Sequence, residues 1–365
     1  MSRVQKISIE INDDKKEYNI IIGENIRANI NKYINEVYQG DKLLIVSDEN
    51  IMNLYGAEII DQLKSEYTIS KHIIKPGEQS KNFTNFQKGH DILINDDFKR
   101  DNMVIALGGG VVGDLAGFIA ATYMRGIAYI QIPTTLLAQV DSSVGGKTAI
   151  NHSKGKNIIG NFKQPEIVLI DPGFLKTLAR RELITGMAEV IKYSFISDKD
   201  FVDYLYNNKD KIYNLDMDAM EYIIYKSCNI KAGIVRKDEK EEGVRAFLNF
   251  GHTIGHALEA VTKYDKYNHG EAVGIGMVGA ARLSYKLKYI DKKIVGIMES
   301  LIKLYDLPLS FQYKENCNNV FKALFHDKKA LKNKLRWILL KEVGKPVIKS
   351  NIDYKKIKQV LEGLS

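Results

Sequence analysis

Met103-Val-Ile-Ala-Leu-Gly-Gly-Gly-Val-Val-Gly-Asp114 decides how this chain is read. Met103–Leu107 is a short apolar run of the kind that fills a buried strand. It passes directly into Gly108-Gly109-Gly110-Val111-Val112-Gly113-Asp114, a match to G-x-G-x-x-G placed after a strand and before a helix. Glycines there let backbone amides approach a pyrophosphate, and the N-terminus of the following helix adds favourable partial charge. An isolated match is weak. The strand–loop–helix setting is what makes this one point to nucleotide binding.

Upstream, residues 3–22 alternate apolar and polar positions around Ile7, Ile9 and Ile11, then Tyr18, Ile20 and Ile22, with Asn12-Asp13-Asp14-Lys15 between them. That is a β-hairpin pattern. Helical periodicity covers residues 26–37. Lys42-Leu-Leu-Ile-Val46 reads as a second buried strand and ends in Ser47-Asp48. An acidic residue at such a strand end meets a ribose in nucleotide-binding folds, or it caps the next helix; the sequence leaves both open. Residues 51–65 read as helix, 68–74 as strand, and Lys75-Pro76-Gly77-Glu78-Gln79-Ser80-Lys81 as a turn ahead of a helix near 83–94. Asp48 precedes the glycine run instead of following it, so dinucleotide binding is expected here without the usual N-terminal Rossmann order.

Downstream, a helix over Leu115–Tyr123 ends at Arg125-Gly126. Tyr129–Ile132 is a strand followed by Pro133-Thr134-Thr135, whose hydroxyls can bond a cofactor or cap a helix. Asp141-Ser-Ser-Val-Gly-Gly-Lys147-Thr148 looks like the tail of a P-loop but lacks the first glycine, which excludes a Walker A motif. With Lys154, Lys156 and Asn157 it reads as a glycine-rich site for a phosphate or carboxylate. After the strand Ile167–Ile170 and Asp171-Pro172, strand-like runs almost vanish until Trp337–Leu340, and helical periodicity takes over. The expected fold is an α/β nucleotide-binding domain over residues 1–175, Rossmann-like with a mostly parallel sheet, followed by an all-α domain over residues 176–365.

The composition suits that plan. The 365 residues are 45% hydrophobic and 27% charged, as in a soluble globular protein. The two cysteines, Cys228 and Cys317, lie far apart, so no disulfide framework is indicated and a reducing cytoplasm fits. No apolar run approaches membrane-spanning length, and no signal-peptide pattern opens the sequence. The net charge of +8 comes from scattered basic residues without an aromatic–basic platform. It argues against nucleic acid as the partner and leaves room for lysines lining a pocket for a small anion.

The helical half opens with Gly186-Met-Ala-Glu189-Val-Ile-Lys192-Tyr193. Glu189 and Lys192, three apart, make either a surface ion pair or, given their apolar neighbours, a buried one. Later comes Arg245-Ala-Phe-Leu-Asn249-Phe-Gly-His252-Thr-Ile-Gly-His256, which reads as helix and puts both imidazoles on one face. His269 follows in His-Gly-Glu-Ala-Val. That is the residue supply for a metal or an acid–base site, and spacing alone makes His252 and His256 equally candidates for ligands.

Taken together these runs resemble the 3-dehydroquinate synthase family. The resemblance is carried by Pro-Gly-Glu-Gln at 76–79, Gly-Gly-Gly-Val-Val-Gly-Asp-Leu-Ala-Gly-Phe at 108–118, Tyr-Met-Arg-Gly at 123–126 and Ile-Pro-Thr-Thr-Leu-Leu-Ala at 132–138. It continues through Asp-Ser-Ser-Val-Gly-Gly-Lys-Thr at 141–148, Lys-Asn-Ile-Ile-Gly at 156–160, Gly-Met-Ala-Glu-Val-Ile-Lys-Tyr at 186–193, Leu-Asn-Phe-Gly-His-Thr-Ile-Gly-His at 248–256 and His-Gly-Glu-Ala-Val at 269–273. It spans nearly the whole chain. Leu178-Ala179, Ser194 and Gly274 depart from the family's habit without removing a chemical group.

The resemblance implies metal ligation by Glu189, His252 and His269, with Zn2+ as the ion and Co2+ able to substitute, and it makes His256 catalytic instead of a ligand. It implies NAD as cofactor, held by Pro76, Gly77, Glu78, Gln79, Ser80 and Lys81, by Gly110, Val111, Val112, Gly113 and Asp114, and by Asp48, Thr134 and Thr135. Lys147, Lys156 and the segment Phe174, Leu175, Lys176 and Thr177 also match cofactor positions. Substrate contacts fall on Arg125, Asp141, Lys147, Asn157, Lys192, Lys231, Arg245 and Asn249, with a further cation from Lys328 or Lys329. The implied substrate is an anionic sugar phosphate, 3-deoxy-D-arabino-heptulosonate 7-phosphate. The implied reaction is transient oxidation, β-elimination of phosphate, re-reduction and aldol closure, carried out by a cytoplasmic homodimer. Rival expectations are another sugar-phosphate cyclase and a metal-dependent polyol or alcohol dehydrogenase on the same plan.

Overall fold

In the computed structural model, which describes residues 4–11, 16–239, 241, 243–263, 265–312, 314–326 and 335–365, the apolar runs of the N-terminal half pair into a seven-stranded sheet. Its strands are β1 (Gln5–Ile11), β2 (Lys16–Ile22), β3 (Lys42–Asp48), β4 (Thr68–Ile74), β5 (Met103–Gly108) and β6 (Ala128–Pro133). A separate hairpin, β7 (Lys147–His152) and β8 (Gly155–Phe162), precedes the last strand, β9 (Ile167–Ile170). The order is β1-β2-β9-β6-β5-β3-β4, antiparallel only between β1 and β2. Lys328 and Lys329 lie outside the described residues.

The central strands are buried on both faces, which is why they read as unbroken apolar runs and not as alternating ones. Leu43, Ile45, Met103, Ile105 and Leu107 pack into one layer with Ile30, Ile59 and Phe174. Leu44, Val46, Val104 and Ala106 pack into the other with Leu115, Ile119 and Tyr129. From β3 the chain crosses to β4 on one side, and β5 then returns to pair on the other side of β3. The order therefore reverses between β3 and β5, and their carboxyl ends carry Asp48 and Gly108. That is the crevice where open α/β sheets bind ligands. It also accounts for an acidic strand that comes before the glycine loop in sequence.

The structure corrects the reading in three places. The glycine-rich run that carries Lys147, with Lys154, Lys156 and Asn157 after it, has no strand signal, yet from Lys147 to Phe162 the chain forms the β7–β8 hairpin. Its small and polar residues hide the strand alternation, and the pairing is so close at Gly160 that a Cβ there would stand 2.1 Å from the Thr148 carbonyl oxygen. The C-terminal half is helical but not all-α, because β10 (Trp337–Glu342) pairs with β11 (Lys345–Lys349). Only β10 carries a buried apolar run; β11 has no such signal and is placed by backbone pairing. Finally, Arg245–His256 is not one helix. A 3-10 segment, Val244–Asn249, ends before Gly251, and the α-helix His252–Val261 begins after it.

The chain divides into two compact units, Met1–Leu178 with Met217–Ala232, and Ala179–Asp216 with Gly233–Ser365. The first unit thus takes in the opening part of the helix Met217–Lys237. Among the described residues no helix is long and apolar enough to cross a membrane.

Within the second unit, the helices His252–Val261 and His269–Lys286 pack backbone against backbone. Gly251 turns the chain with φ 83, and a Cβ there would meet the Val273 carbonyl oxygen at 2.9 Å. A Cβ on Gly276 would stand 1.9 Å from the Gly251 carbonyl oxygen. Backbone cannot yield as a side chain does, so Gly276→Ala is expected to cost about 1–3 kcal/mol of stability in urea unfolding. A change below about 0.5 kcal/mol would show that the helices separate without penalty.

Candidate functional site

The second unit brings Glu189, His252 and His269 together, with their ligand atoms all within 4.8 Å of one another. Glu189 lies on the helix Arg180–Ser197 and is 0% exposed. His252 and His269 are the first residues of their helices, so the crossing of those helices sets the distance between the rings, 5.2 Å between centroids. Nε2 of each imidazole is 3.5 Å from Glu189 Oε1. Ligands ~2.0–2.1 Å from one tetrahedral ion stand roughly 3.3–3.4 Å apart, so both carboxylate–imidazole distances suit zinc. The donors, one carboxylate and two imidazoles, are also the right type.

Hydrogen bonding prepares the rings for that role. His252 Nδ1 lies 3.2 Å from the Phe250 carbonyl oxygen, to which only an N–H can donate, and this turns the Nε2 lone pair toward Glu189. Burial pushes the His252 pKa down, against the pull of Glu189, and so keeps the ring neutral as a ligand must be. His269 goes the other way. Burial opposes its charge, but Glu189 and Glu259 prevail and raise it to about 10. Two carboxylates around one imidazole make this a place that favours positive charge.

Glu189 and Lys192 form a buried ion pair, which settles the alternative of a surface pair; Lys192 is 1% exposed and its Nζ lies 4.7 Å from the centre of the Tyr193 ring. His256 is exposed beside the trio, its ring 5.3 Å from that of His252. Arg245 is buried; its backbone N–H donates to Asp238 Oδ2 at 2.8 Å and its guanidinium to the Glu239 carbonyl oxygen. Asn249 Nδ2 donates to Glu241 Oε1 at 2.7 Å. The 3-10 segment that carries Arg245 and Asn249 packs on the helix of Glu189. A glycine turn therefore separates these two residues from His252, and they do not share one helix face with it.

The start of the His269 helix is tied down as well. Asn268 and Glu271 form a reciprocal cap, at 2.9 and 3.0 Å. Glu271 also receives Arg181 on both oxygens, at 2.9 and 2.8 Å, and Arg181 lies on the helix of Glu189. A Cβ on Gly270 would overlap Thr185 of that same helix at 2.4–2.8 Å, so the helices meet where their metal-type ligands lie.

The first unit holds the nucleotide-type features. The helix Gly110–Thr122 starts from Gly109 without a side-chain cap, and a Cβ on Gly110 or Gly113 would crowd Ser142 Oγ or Gln131 Oε1 at 3.0 Å. An uncapped glycine-rich helix start is suited to receive an anion. Thr134 is buried, and its hydroxyl has no hydrogen-bond partner among the described residues, while Thr135 Oγ1 accepts from the Ala138 N–H at 3.2 Å. Asp48 caps its helix through Oδ1, at 3.0 and 3.1 Å from the Asn50 and Ile51 nitrogens. Lys81 is buried between Asp114 Oδ2 at 2.9 Å and Glu78 Oε1 at 3.1 Å. Burial works against its charge, but the two carboxylates win and raise its pKa. Glu78 also accepts from Asn151 Nδ2 at 2.7 Å, and Asn151 Oδ1 accepts from the Asn157 N–H at 3.0 Å, so the Pro76–Lys81 loop is fastened to the β7–β8 hairpin.

Asp141 holds Lys231 through Oδ1 at 2.6 Å and its carbonyl at 2.7 Å. Lys147 and Asn157 are exposed on the hairpin, and Lys156 is half-buried there. Arg125 is exposed with φ 68. Phe174 and Leu175 point into the core, with Phe174 edge-on to Tyr55 at 4.8 Å. Lys176 pairs with Glu24 at 3.5 Å and Thr177 bonds the Tyr55 hydroxyl at 2.7 Å.

Three participants have no role assigned from the sequence. Glu259 sits seven residues after His252 on one helix, a two-turn spacing that could have suggested it. Glu271 and Arg181 are 90 residues apart, and no local pattern links them.

Two family models match the chain, one described as 3-dehydroquinate synthase N-terminal over residues 71–185 and one as 3-dehydroquinate synthase C-terminal over residues 186–330. The 3-dehydroquinate synthase of Desulforamulus reducens is 44% identical over 338 residues, covering 92% of this chain and 94% of that protein. Among solved structures, 2-epi-5-epi-valiolone synthase from Streptomyces hygroscopicus, with NAD+ and Zn2+ bound, superposes with a TM-score of 0.87 at 25% identity, over 95% of this chain and 96% of that one. A 2-deoxy-scyllo-inosose synthase complexed with carbaglucose-6-phosphate, NAD+ and Co2+ gives 0.87 at 26% identity, over 99% and 100%.

The clamp on the His269 helix has a pH signature. Burial would raise the Glu271 pKa, but Arg181 and the Asn268 amide hold it below its ordinary 4.5. A depressed carboxyl contributes stability above its unfolded value and loses it as pH falls through the folded one. Because the Arg181 side chain is 59% exposed, the contribution is discounted for solvent screening. Glu271→Gln is expected to cost about 1 kcal/mol at pH 7, and the gap from the parent protein should close as pH falls below 4.5. Urea titrations across that range measure it; a gap independent of pH would assign the effect to shape and not charge.

Proposed function

The chain belongs to the 3-dehydroquinate synthase family, and from that premise we propose that it converts 3-deoxy-D-arabino-heptulosonate 7-phosphate into 3-dehydroquinate and phosphate. It is then a carbon–oxygen lyase of the shikimate pathway, feeding chorismate and aromatic amino acid biosynthesis. The observation that carries the reading is the Glu189–His252–His269 trio, because a purely structural domain has no use for two imidazoles converging on a carboxylate at 0% exposure. In this proposal residues 1–175 hold NAD and residues 176–365 hold the metal and the substrate. The protein acts as a cytoplasmic homodimer that binds neither nucleic acid nor membranes.

Zn2+, or Co2+ in its place, would be held by Glu189, His252 and His269 and would supply Lewis-acid polarisation of substrate hydroxyls. NAD at the carboxyl ends of β3 and β5 would supply a hydride acceptor that ends each turnover as it began. The remaining work falls to side chains. The uncapped start at Gly110–Asp114 receives the cofactor's pyrophosphate, and the buried Thr134 hydroxyl gives a donor beside it. Asp48 presents its carboxylate to a ribose while capping its own helix through Oδ1. Lys81, held cationic by Asp114 and Glu78, stiffens the loop that borders the cofactor.

The cations and donors that a carboxylate and a phosphate require are offered by Arg125, Lys147, Asn157 and Lys231 in the first unit and by Lys192 and Arg245 in the second. Asp141 keeps Lys231 oriented. His256, exposed at the edge of the trio, exchanges protons with solvent, and Asn249 orients the group it serves. The overall change eliminates phosphate and closes a carbocycle with no net oxidation.

Incubation of the protein with the heptulosonate phosphate, NAD and zinc is expected to release phosphate and 3-dehydroquinate in equal amounts with no accumulating NADH. NADH build-up with a simple alcohol would instead mark a dehydrogenase, and faster turnover of another sugar phosphate would mark a different cyclase. His252→Ala is expected to lose bound zinc together with activity. Metal analysis showing full zinc occupancy in that variant would reject the ligand assignment.

A further inference from the structure

One buried acid beside the trio has no part in the reaction proposed above. Glu259 lies on the helix His252–Val261, two turns after His252 on the same face, and is 5% exposed. A carboxylate taken from water is costly unless a partner compensates it. Its Oε1 is 3.5 Å from His269 Nδ1, while His269 Nε2 is 3.5 Å from Glu189 Oε1. The His269 ring therefore stands between two carboxylates, one at each nitrogen.

We infer that Glu259 is a positioning residue for His269: it holds the Nδ1–H and so presents the Nε2 lone pair to the metal. The inference rests on the metal reading of Glu189, His252 and His269. The trio's other imidazole supports it. His252 has its Nδ1 against the Phe250 carbonyl, so both rings are anchored through Nδ1 and both offer Nε2 to the same Glu189 oxygen. The anchors differ in charge. A carbonyl fixes His252, and a carboxylate fixes His269 and makes it the more electron-rich ligand.

A competing arrangement uses the same atoms, because His256, Glu259 and His269 also lie close enough to hold an ion. Glu259 would then be a ligand. The positioning role is favoured because His256 is exposed, whereas Glu189 and His252 are buried. In the Glu189 trio, moreover, both rings have Nδ1 against an acceptor oxygen, which leaves both Nε2 atoms for one shared ion.

The test measures zinc affinity by competition with a chromogenic chelator, zinc stoichiometry, and the visible spectrum of the cobalt-loaded protein. It compares the parent chain, Glu259→Ala, Glu259→Gln and His269→Ala, each checked for folding by circular dichroism. One zinc per chain is expected. Glu259→Ala should weaken zinc binding about 10- to 100-fold and alter the cobalt spectrum, the usual consequence of losing an outer partner of a metal-bound histidine. Glu259→Gln keeps an acceptor oxygen without the charge, so it should fall between the two and recover a spectrum near the parent's. Parent affinity and spectrum in Glu259→Ala would overturn the inference, as would a second zinc in the parent that disappears with Glu259. If Glu259→Ala does not fold, Glu259→Gln decides: affinity within about twofold of the parent would count against the role. Parent affinity in His269→Ala would sink the ligand reading itself, a separate failure seen without touching Glu259.

Discussion

A carboxylate at 0% exposure is the constraint around which the second unit is arranged. Glu189 has given up its hydration, and the loss is tolerable only where positive charge or strong donors surround it. Lys192 supplies one charge from the next turn of the same helix. Two imidazoles supply the rest of the surroundings, and they come from other helices. That requirement explains features that look unrelated. Gly251, Gly255, Gly270 and Gly276 are all at close backbone or helix contacts, because His252 and His269 sit at helix starts that must come within reach of one carboxylate oxygen. The reciprocal Asn268–Glu271 cap and the Arg181 fork then hold the His269 helix in place against the Glu189 helix.

The first unit meets a different constraint. Its sheet reverses order between β3 and β5, so two strand ends lie side by side at the crevice. One end supplies Asp48 and the other a glycine turn that opens an uncapped helix. Asp48 serves its own helix with half of its carboxylate. Its Oδ1 alone completes the cap.

Much of this was legible beforehand. The strands at 42–46, 68–74, 103–107, 129–132 and 167–170 all fall within observed strands; except for the half-exposed edge strand at 68–74, they are buried on both faces and so written as continuous apolar runs. The β7–β8 hairpin and β11 escaped notice for the converse reason. β8 and β11 are exposed or half-buried along their length, and the buried part of β7 is only Thr148–Ile150, so none carries a periodicity long enough to read. The segment Arg245–His256 reads as a single helix, since helical spacing of its histidines says nothing about a left-handed glycine that divides it.

Local chemistry in the sequence determined the alternation of strands and helices, the glycine turn after β5 and the supply of histidines and acids. Each of these depends on neighbours a few residues apart. Only the tertiary structure decided which imidazole nitrogen faces Glu189, that Lys192 is buried, and that Glu259 and Glu271 stand behind His269. Those outcomes turn on distances of a few ångströms between helices far apart in the chain. Such distances are set by where glycine lets two backbones touch, which no local pattern records.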